Sequence, residues 1–140
     1  MFSHIFIGVT DFDRAFAFYA PLMRTLALEL RWHDPGRPWA GWHGPGGARP
    51  FFVICQPFDG LAHHPGNGQM VAFSAPDRDT VRRAHAVALQ AGGLDEGAPG
   101  LRPHYHPHYY GAYFRDPDRN KLCVACHGEE PAAPPHGPLR

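Results

Sequence analysis

The sequence lacks several features that would place it in a specialised class of protein. Its 13 lysine and arginine residues equal its 13 aspartate and glutamate residues, so no charge excess indicates nucleic acid or an anionic membrane as a partner. No apolar run approaches the roughly 20 residues that a membrane-spanning helix needs. The N-terminus has no basic segment followed by an apolar stretch, so no signal peptide is predicted. At 140 residues the chain has the size of one domain, or of two half-domains that share a core.

Cysteine is also scarce, and the three residues Cys55, Cys123 and Cys126 are an odd number. An odd count argues against a disulfide framework and favours a reducing cytoplasm. Cys123 and Cys126 have the spacing of a redox or zinc pair. No second pair accompanies them, and in a strand the two thiols would point to opposite faces. A redox role is therefore not expected.

What the chain does contain is a repeat. The apolar segment His4–Val9 leads into a helix-like run, and the segment Met70–Ala75, 66 residues later, does the same. Aspartates follow both segments at this constant offset: Asp11, Asp13, Asp77 and Asp79. Such side chains are typical of a helix N-cap and first turn. The sequence therefore predicts two copies of one strand-then-helix unit.

Each copy continues with three further predicted strands. In the first half, strands are predicted at 4–9, 28–33, 39–42 and 51–55, with a helix from Thr10 or Asp11. Pro21 should kink this helix or shift its boundary. In the second half, strands are predicted at 69–75, near 94–97, at 109–115 and at 120–126, with a helix over 77–90 that ends at Gly92-Gly93. The prediction is an α+β fold of two βαβββ modules forming a curved mixed-sheet cup, with the helices on its outer side.

The domain boundaries follow from composition. Residues 1–128 are predicted to form one domain, with half-modules at about 2–56 and 68–127. The connector 57–67 is rich in proline, glycine and histidine. The tail 129–140 has four prolines and almost no apolar bulk, so it is predicted to be disordered.

Several stretches of the chain carry a family resemblance: Ser3–Val9, Gly92-Gly93, Gly97–Pro103, Tyr109-Tyr110 and Phe114–Leu122, the last with its Asp-Pro-Asp-Arg-Asn turn. The sequence resembles the vicinal oxygen chelate superfamily, which includes glyoxalase I, bleomycin-resistance proteins and extradiol dioxygenases. The resemblance covers about residues 2–127. It implies the two-module cup, a small-molecule ligand and a homodimer, and for an enzyme it implies glyoxalase-like lyase or dioxygenase activity.

Metal-using members of this superfamily hold their metal with four side chains in the cup. Transferred residue by residue, the resemblance implies His4, Cys55, Met70 and Cys123, where a His/Glu/His/Glu set is usual. Glyoxalase chemistry needs a carboxylate base beside the metal, and extradiol oxygenases need two histidines and one carboxylate. Neither set is present. A soft site for a divalent metal (zinc, iron or nickel) remains one interpretation, because thiolates and imidazole suit such metals. The other is that cysteine and methionine fill a cavity that has lost its metal.

Histidines and tyrosines crowd the segment between the second and third predicted strands of the second half. His104, His106 and His108 alternate, so an extended backbone would place them on one side. Family analogy places the segment at the mouth of the pocket. Substrate-contacting candidates are therefore His104, Tyr105, His106, Tyr109, Tyr110 and Arg102. The guanidinium of Arg102 is suited to a carboxylate or phosphate, and an ion pair with Asp116 or Asp118 is the alternative.

Three hypotheses about function remain open at this stage. The first is a small-molecule-binding protein or non-standard enzyme whose cup works without the usual metal site. The second is a metal-dependent lyase or dioxygenase that uses His4 and the two cysteines. The third is a structural or regulatory dimer that has no ligand.

Overall fold

The computed structural model describes residues 1–130, and the last ten residues of the predicted tail lie outside this range. The first module has the elements β1 (His4–Gly8), α1 (Phe12–Thr25), β2 (Glu29–Asp34), β3 (Trp39–His43) and β4 (Phe51–Cys55), with one 3-10 turn at Pro45–Gly47. The second has β5 (Val71–Ser74), α2 (Arg78–Gln90), β6 (Leu94–Leu101), β7 (Tyr110–Arg115) and β8 (Lys121–Cys126). The prediction of two βαβββ units is confirmed.

The strands form two four-stranded mixed sheets of identical topology, with the orders β1-β4-β3-β2 and β5-β8-β7-β6. In each sheet the first and last strands of the module are parallel, and the other neighbours are antiparallel. The strands β1 and β5 are edge strands. The two sheets share one hydrophobic core, in which the rings of Phe52 and Phe73 meet edge to face at 5.0 Å.

Both helices begin where the repeated aspartates predict. The carboxylate of Asp11 accepts a hydrogen bond from the backbone N–H of Arg14, and Asp77 accepts one from Thr80. These caps satisfy N–H groups that a helix terminus leaves without partners. Pro21 does not end α1, which continues to Thr25. The hydroxyl of Thr25 donates to the carbonyl of Pro21 at 3.0 Å.

Helix α1 packs on both modules. Tyr19 lies 5.3 Å from the ring of Phe52 in the first sheet, and Phe18 lies 6.4 Å from Phe114 in the second. The side chains of Phe18 and Tyr19 are both fully buried. The helix therefore helps to fix the relative placement of the two sheets.

The Asp-Pro-Asp-Arg-Asn turn between β7 and β8 ties the second module to the start of α1. Buried Asp116 accepts N–H bonds from Asp118 and Asn120 through Oδ1, and its Oδ2 accepts the hydroxyl of Tyr19. Asp118 Oδ1 accepts the backbone N–H of Thr10 at 2.8 Å. This motif is thus an inter-module clasp.

Within residues 1–130 no helix is long and apolar enough to cross a membrane.

The connector is anchored by one histidine. His63 Nε2 lies 2.6 Å from Oδ1 of Asn120, and the backbone N–H of His63 donates to the hydroxyl of Thr10. The imidazole lies directly over Gly8, where an added Cβ would be 2.4 Å from Nδ1. Glycine at this position therefore provides the space for the connector to cross β1.

Candidate functional site

The four side chains that the resemblance implied for a metal do not converge. In the parallel β1–β4 ladder, His4 is level with Phe51, whereas Cys55 is level with Gly8. Four residues of strand separate those two levels, which is about 13 Å at about 3.3 Å per residue. His4 instead lies in a groove with Phe6, Trp32, Trp39, Arg49, Phe51 and Val53.

The internal repeat also shows that Cys55 and Cys123 are not equivalent. The first strand of each module is followed by the same backbone hydrogen bond, from Val9 to the carbonyl of Cys55 and from Ala75 to that of Ala125, both 2.9 Å long. Cys55 therefore corresponds to Ala125. Counting back two residues, Cys123 corresponds to Val53, whose apolar side chain is buried beside the groove of His4. The resemblance implied that Cys55 and Cys123 occupy the same ligand position in the two modules. Their positions in the repeat differ by two residues.

The thiol of Cys123 lies beneath two tyrosine hydroxyls. Its residue is fully buried, and its Sγ lies 3.5 Å from the hydroxyl oxygen of Tyr109, which lies 2.9 Å from that of Tyr113. Burial raises the pKa of Cys123, although the two tyrosines act in the opposite direction. Burial also raises the pKa of Tyr109 and Tyr113. All three groups are therefore protonated and neutral at neutral pH.

The placement of these side chains does not suit a metal ion. Met70 precedes β5 and is 43% exposed. Among residues 1–130, no three histidine, cysteine, aspartate or glutamate side chains are grouped so that they could hold a metal. The residues present do not fit the metal that the resemblance implied.

The position of Tyr109 depends on a glycine two residues further along the chain, in β7. Its ring folds back over Gly111, where an added Cβ would lie 2.8 Å from Cε1 of the tyrosine. The absence of a side chain at Gly111 lets the hydroxyl of Tyr109 reach Tyr113 and Cys123. The local sequence Tyr-Tyr-Gly-Ala-Tyr thus builds the hydroxyl pair.

A polar groove opens beside this hydroxyl pair. Tyr105, Tyr113 and Lys121 line its two adjoining parts. One part also includes Met70, Arg115 and the connector residues 66–69, and the other includes Glu96, Arg102 and His104. The groove shares no lining residue with the groove of His4. It is called the second-module groove below.

Of the predicted substrate-contacting residues, Arg102, His104 and Tyr105 line this groove, and Tyr109 lies beneath it. Tyr110 does not. Its side chain faces α2, where its hydroxyl accepts a hydrogen bond from Arg82 and where the Arg78 and Arg82 guanidinium groups stack on its ring. Alternation along β7 explains this, since neighbouring residues of a strand face opposite sides.

The three alternating histidines do not lie on an extended strand. The segment forms successive turns instead of an extended strand, with hydrogen bonds from Tyr105 N–H to the Arg102 carbonyl and from Tyr109 N–H to the His106 carbonyl. His106 bonds to His127 at 2.9 Å, and His108 lies 3.3 Å from Glu129. The extended backbone on which the prediction of a shared face depended is therefore not formed.

The ion pair considered for Arg102 is likewise not formed. Its guanidinium donates to the carbonyls of Ala98 and Leu101 and stacks over Tyr113, while Asp116 and Asp118 are engaged in the inter-module clasp. Sequence reasoning missed Tyr113 and Lys121. The signal for both was strand alternation, because they share a face with Cys123.

A separate, mainly apolar cavity of about 280 Å³ lies where the two modules meet. Ile5, Trp42, Phe52 and Phe73 form much of its wall. Two of its polar side chains are already engaged: Arg49 donates to Ser3, and His43 Nδ1 lies 2.6 Å from the carbonyl oxygen of Gly44. This cavity offers volume but few groups to orient a ligand.

Comparison with known proteins agrees with this architecture. The family model described as the glyoxalase/bleomycin resistance protein/dioxygenase superfamily matches residues 1–124. The chain belongs to this superfamily. A glyoxalase/bleomycin resistance protein from Albidiferax ferrireducens is 32% identical, with a TM-score of 0.78 over 91% of this chain and 99% of the other. No match was found among the curated proteins.

More distant structures of the superfamily share the fold. A lactoylglutathione lyase from Agrobacterium tumefaciens is 21% identical, with a TM-score of 0.60 over 90% of this chain and 92% of the other. A glyoxalase/dioxygenase from Nostoc punctiforme is 20% identical, with a TM-score of 0.64 over 92% of both chains. At this identity the likeness concerns the fold alone.

Proposed function

We propose that this member of the superfamily binds a small organic molecule in the second-module groove, without a metal held by His4, Cys55, Met70 and Cys123. The observation that carries the proposal is the hydrogen-bonded set of Tyr109, Tyr113 and Cys123 beneath that groove. Aromatic walls with a few fixed polar groups are typical of small-molecule sites. Here the polar groups are hydroxyls that donate and accept hydrogen bonds.

The same site does not favour lyase or dioxygenase chemistry of the usual kind. That chemistry needs a carboxylate near the reacting atoms. Val53 in β4 and Cys123 in β8 occupy equivalent positions of the two repeated modules. Neither residue has a carboxylate. The carboxylate of Glu96, which borders the groove, lies 2.6 Å from Arg115 in an ion pair. A binding protein is therefore the function that the groove supports best.

We also infer that the protein forms a homodimer in a reducing compartment such as the cytoplasm. The edge strands β1 and β5 leave backbone groups without ladder partners, and Phe6 and Met70 beside them are 49% and 43% exposed. The three cysteines are free, which suits a reducing environment. Light scattering during size exclusion should give twice the mass of the chain. A monomer at all concentrations would contradict the dimer.

The binding proposal is tested by a ligand screen on untagged protein. A panel of neutral, acidic and basic small molecules is added to ¹⁵N-labelled protein, and amide shifts are mapped onto the chain. Compounds that bind should shift the amide signals around Tyr113 and Lys121. The substitution Tyr113→Phe should weaken their affinity. Tyr110→Phe is the matched control, because that tyrosine faces α2. A panel that shifts only residues elsewhere, or none, would contradict the proposal.

A further inference from the structure

Arg102 and Lys121 flank a single tyrosine ring. The guanidinium carbon of Arg102 lies 5.5 Å from the ring centroid of Tyr113, and the ammonium nitrogen of Lys121 lies 5.8 Å from it. Both cations line the second-module groove. We propose that Arg102, Lys121 and the hydroxyl of Tyr113 recognise the carboxylate of a small organic acid. This inference rests on the proposed function and names the chemical class of its ligand.

The charges along the groove favour an anion. Its lining includes three cations, Arg102, Arg115 and Lys121, and one carboxylate, Glu96. The ion pair between Arg115 and Glu96 neutralises one cation, which leaves a net charge of plus two. Within the described part of the chain, neither Arg102 nor Lys121 lies within ion-pair distance of a carboxylate. A ligand carboxylate would supply the missing counter-charge.

The guanidinium of Arg102 is held in place before any ligand arrives. One terminal nitrogen donates to the carbonyl of Ala98 at 2.9 Å, and the other donates to that of Leu101 at 3.4 Å. Added Cβ atoms at Gly97 and Gly100 would lie 3.3 and 3.1 Å from these nitrogens, so the two glycines leave room for the group. The remaining N–H donors of the planar guanidinium are suited to a carboxylate. Fixing the group in advance lowers the entropy cost of binding.

The groove also offers a surface for an apolar part of the ligand. Tyr105 is 61% exposed and lies between His104 and Tyr109, with ring centroids 4.2 and 4.9 Å away. An exposed ring that neighbouring rings support provides a stacking surface. An arylacetate, which joins a carboxylate to one aromatic ring, matches this combination.

Lys121 makes a direct test possible, because it is the only lysine in the sequence. Reductive methylation with ¹³C-formaldehyde labels its ammonium group and keeps its charge, and the N-terminal amine gives the second signal. Phenylacetate is titrated against this protein, and phenylacetamide is the neutral compound of matched shape. The Lys121 methyl signal should shift and saturate with phenylacetate, whose Kd should be at least tenfold lower than that of the amide.

Variants identify the partner of the carboxylate. Arg102→Gln should weaken phenylacetate at least tenfold and leave phenylacetamide nearly unchanged, with folding checked by circular dichroism. Arg37→Gln is the control, because Arg37 is an exposed arginine of the first module that stacks on Trp39. It should bind phenylacetate like the wild type.

Two results would overturn the inference and leave the proposed function intact. One is equal affinity for the acid and the amide, and the other is unchanged affinity in Arg102→Gln. If neither compound shifts the Lys121 signal, the inference is also wrong. The proposed function fails only if the broader panel also contains no ligand for the groove.

Discussion

The hydroxyl of Tyr19 donates a 2.5 Å hydrogen bond to Oδ2 of Asp116, which joins helix α1 of the first module to the β7–β8 turn of the second. Both residues are almost completely buried. The two residues are 97 positions apart in the chain, so the bond closes the two-module core. It explains why an aspartate begins the Asp-Pro-Asp-Arg-Asn turn.

Replacing Tyr19 by phenylalanine should destabilise the protein without changing the shape of the core. The substitution removes one donor to a buried carboxyl group, which costs about 1–3 kcal/mol of the free energy of unfolding. Urea denaturation measures the difference. Tyr110→Phe is the control, since the hydroxyl it removes is bonded to an exposed arginine, Arg82. Equal stability of Tyr19→Phe and the wild type would contradict a role for this bond.

Asp116 should make stability depend on pH in an unusual direction. Burial raises the pKa of its carboxyl group, although the hydrogen bonds from Tyr19 and Asn120 lower it. The native state therefore binds this proton more tightly than the unfolded chain does. Its contribution to stability is complete below the unfolded pKa of about 4 and is lost as the pH rises through the folded pKa.

Denaturation of the wild type and of Asp116→Asn across pH 4–7 isolates this contribution. The stability of the wild type relative to the variant should fall as the pH rises. Asp95 provides the opposite case, because its hydrogen bond to His85 lowers its pKa. The stability that Asp95 contributes should be lost as the pH falls. A pH-independent difference for Asp116→Asn would contradict the raised pKa.

The three cysteines should differ in reactivity. Cys55 is partly exposed, whereas Cys123 and Cys126 are 0% and 4% exposed. Since the thiolate is the reactive form and access is required, iodoacetamide should modify Cys55 first and spare the other two in the native state. Peptide mass spectrometry identifies the modified residue. Rapid alkylation of Cys123 would show that its thiol is not covered by Tyr109.

Gly93→Ala should destabilise the fold because of close backbone contacts. An added Cβ would lie 2.8 Å from the carbonyl oxygens of Ala88 and Arg115, which cannot move as a flexible side chain can. Thermal or urea unfolding should show a loss of about 1–3 kcal/mol. Gly128→Ala is the matched control, because no atom lies within 4 Å of its added Cβ. A neutral effect at both positions would contradict the packing at the end of α2.

The sequence predicted the fold well because the signals were local and appeared twice. Asp11 and Asp77 marked both helix starts, and each strand of the modules was found within a few residues of its observed position. A proline lowers helix propensity, but α1 continues through Pro21 to Thr25, where tertiary packing supports it.

The site was predicted less well because it depends on register. The sequence offset made Cys55 the counterpart of Cys123, but the loops of the two modules differ in length, and the ladders pair Cys123 with Ala72 and Cys55 with Gly8. The segment 102–109 forms turns instead of the extended backbone that the alternation of its histidines assumed. No periodicity in the sequence indicated these turns. Tyr113 was not singled out, although alternation along β7 and β8 places it opposite Cys123.

The most direct test of metal-free binding in the second-module groove is one titration made twice. Phenylacetate is titrated into untagged ¹⁵N-labelled protein before and after dialysis against EDTA, and the amide shifts are compared. The account predicts the same Kd and the same shifted residues around Tyr113 and Lys121 in both titrations. Binding that disappears with EDTA, returns with zinc and is abolished in His4→Ala would contradict it.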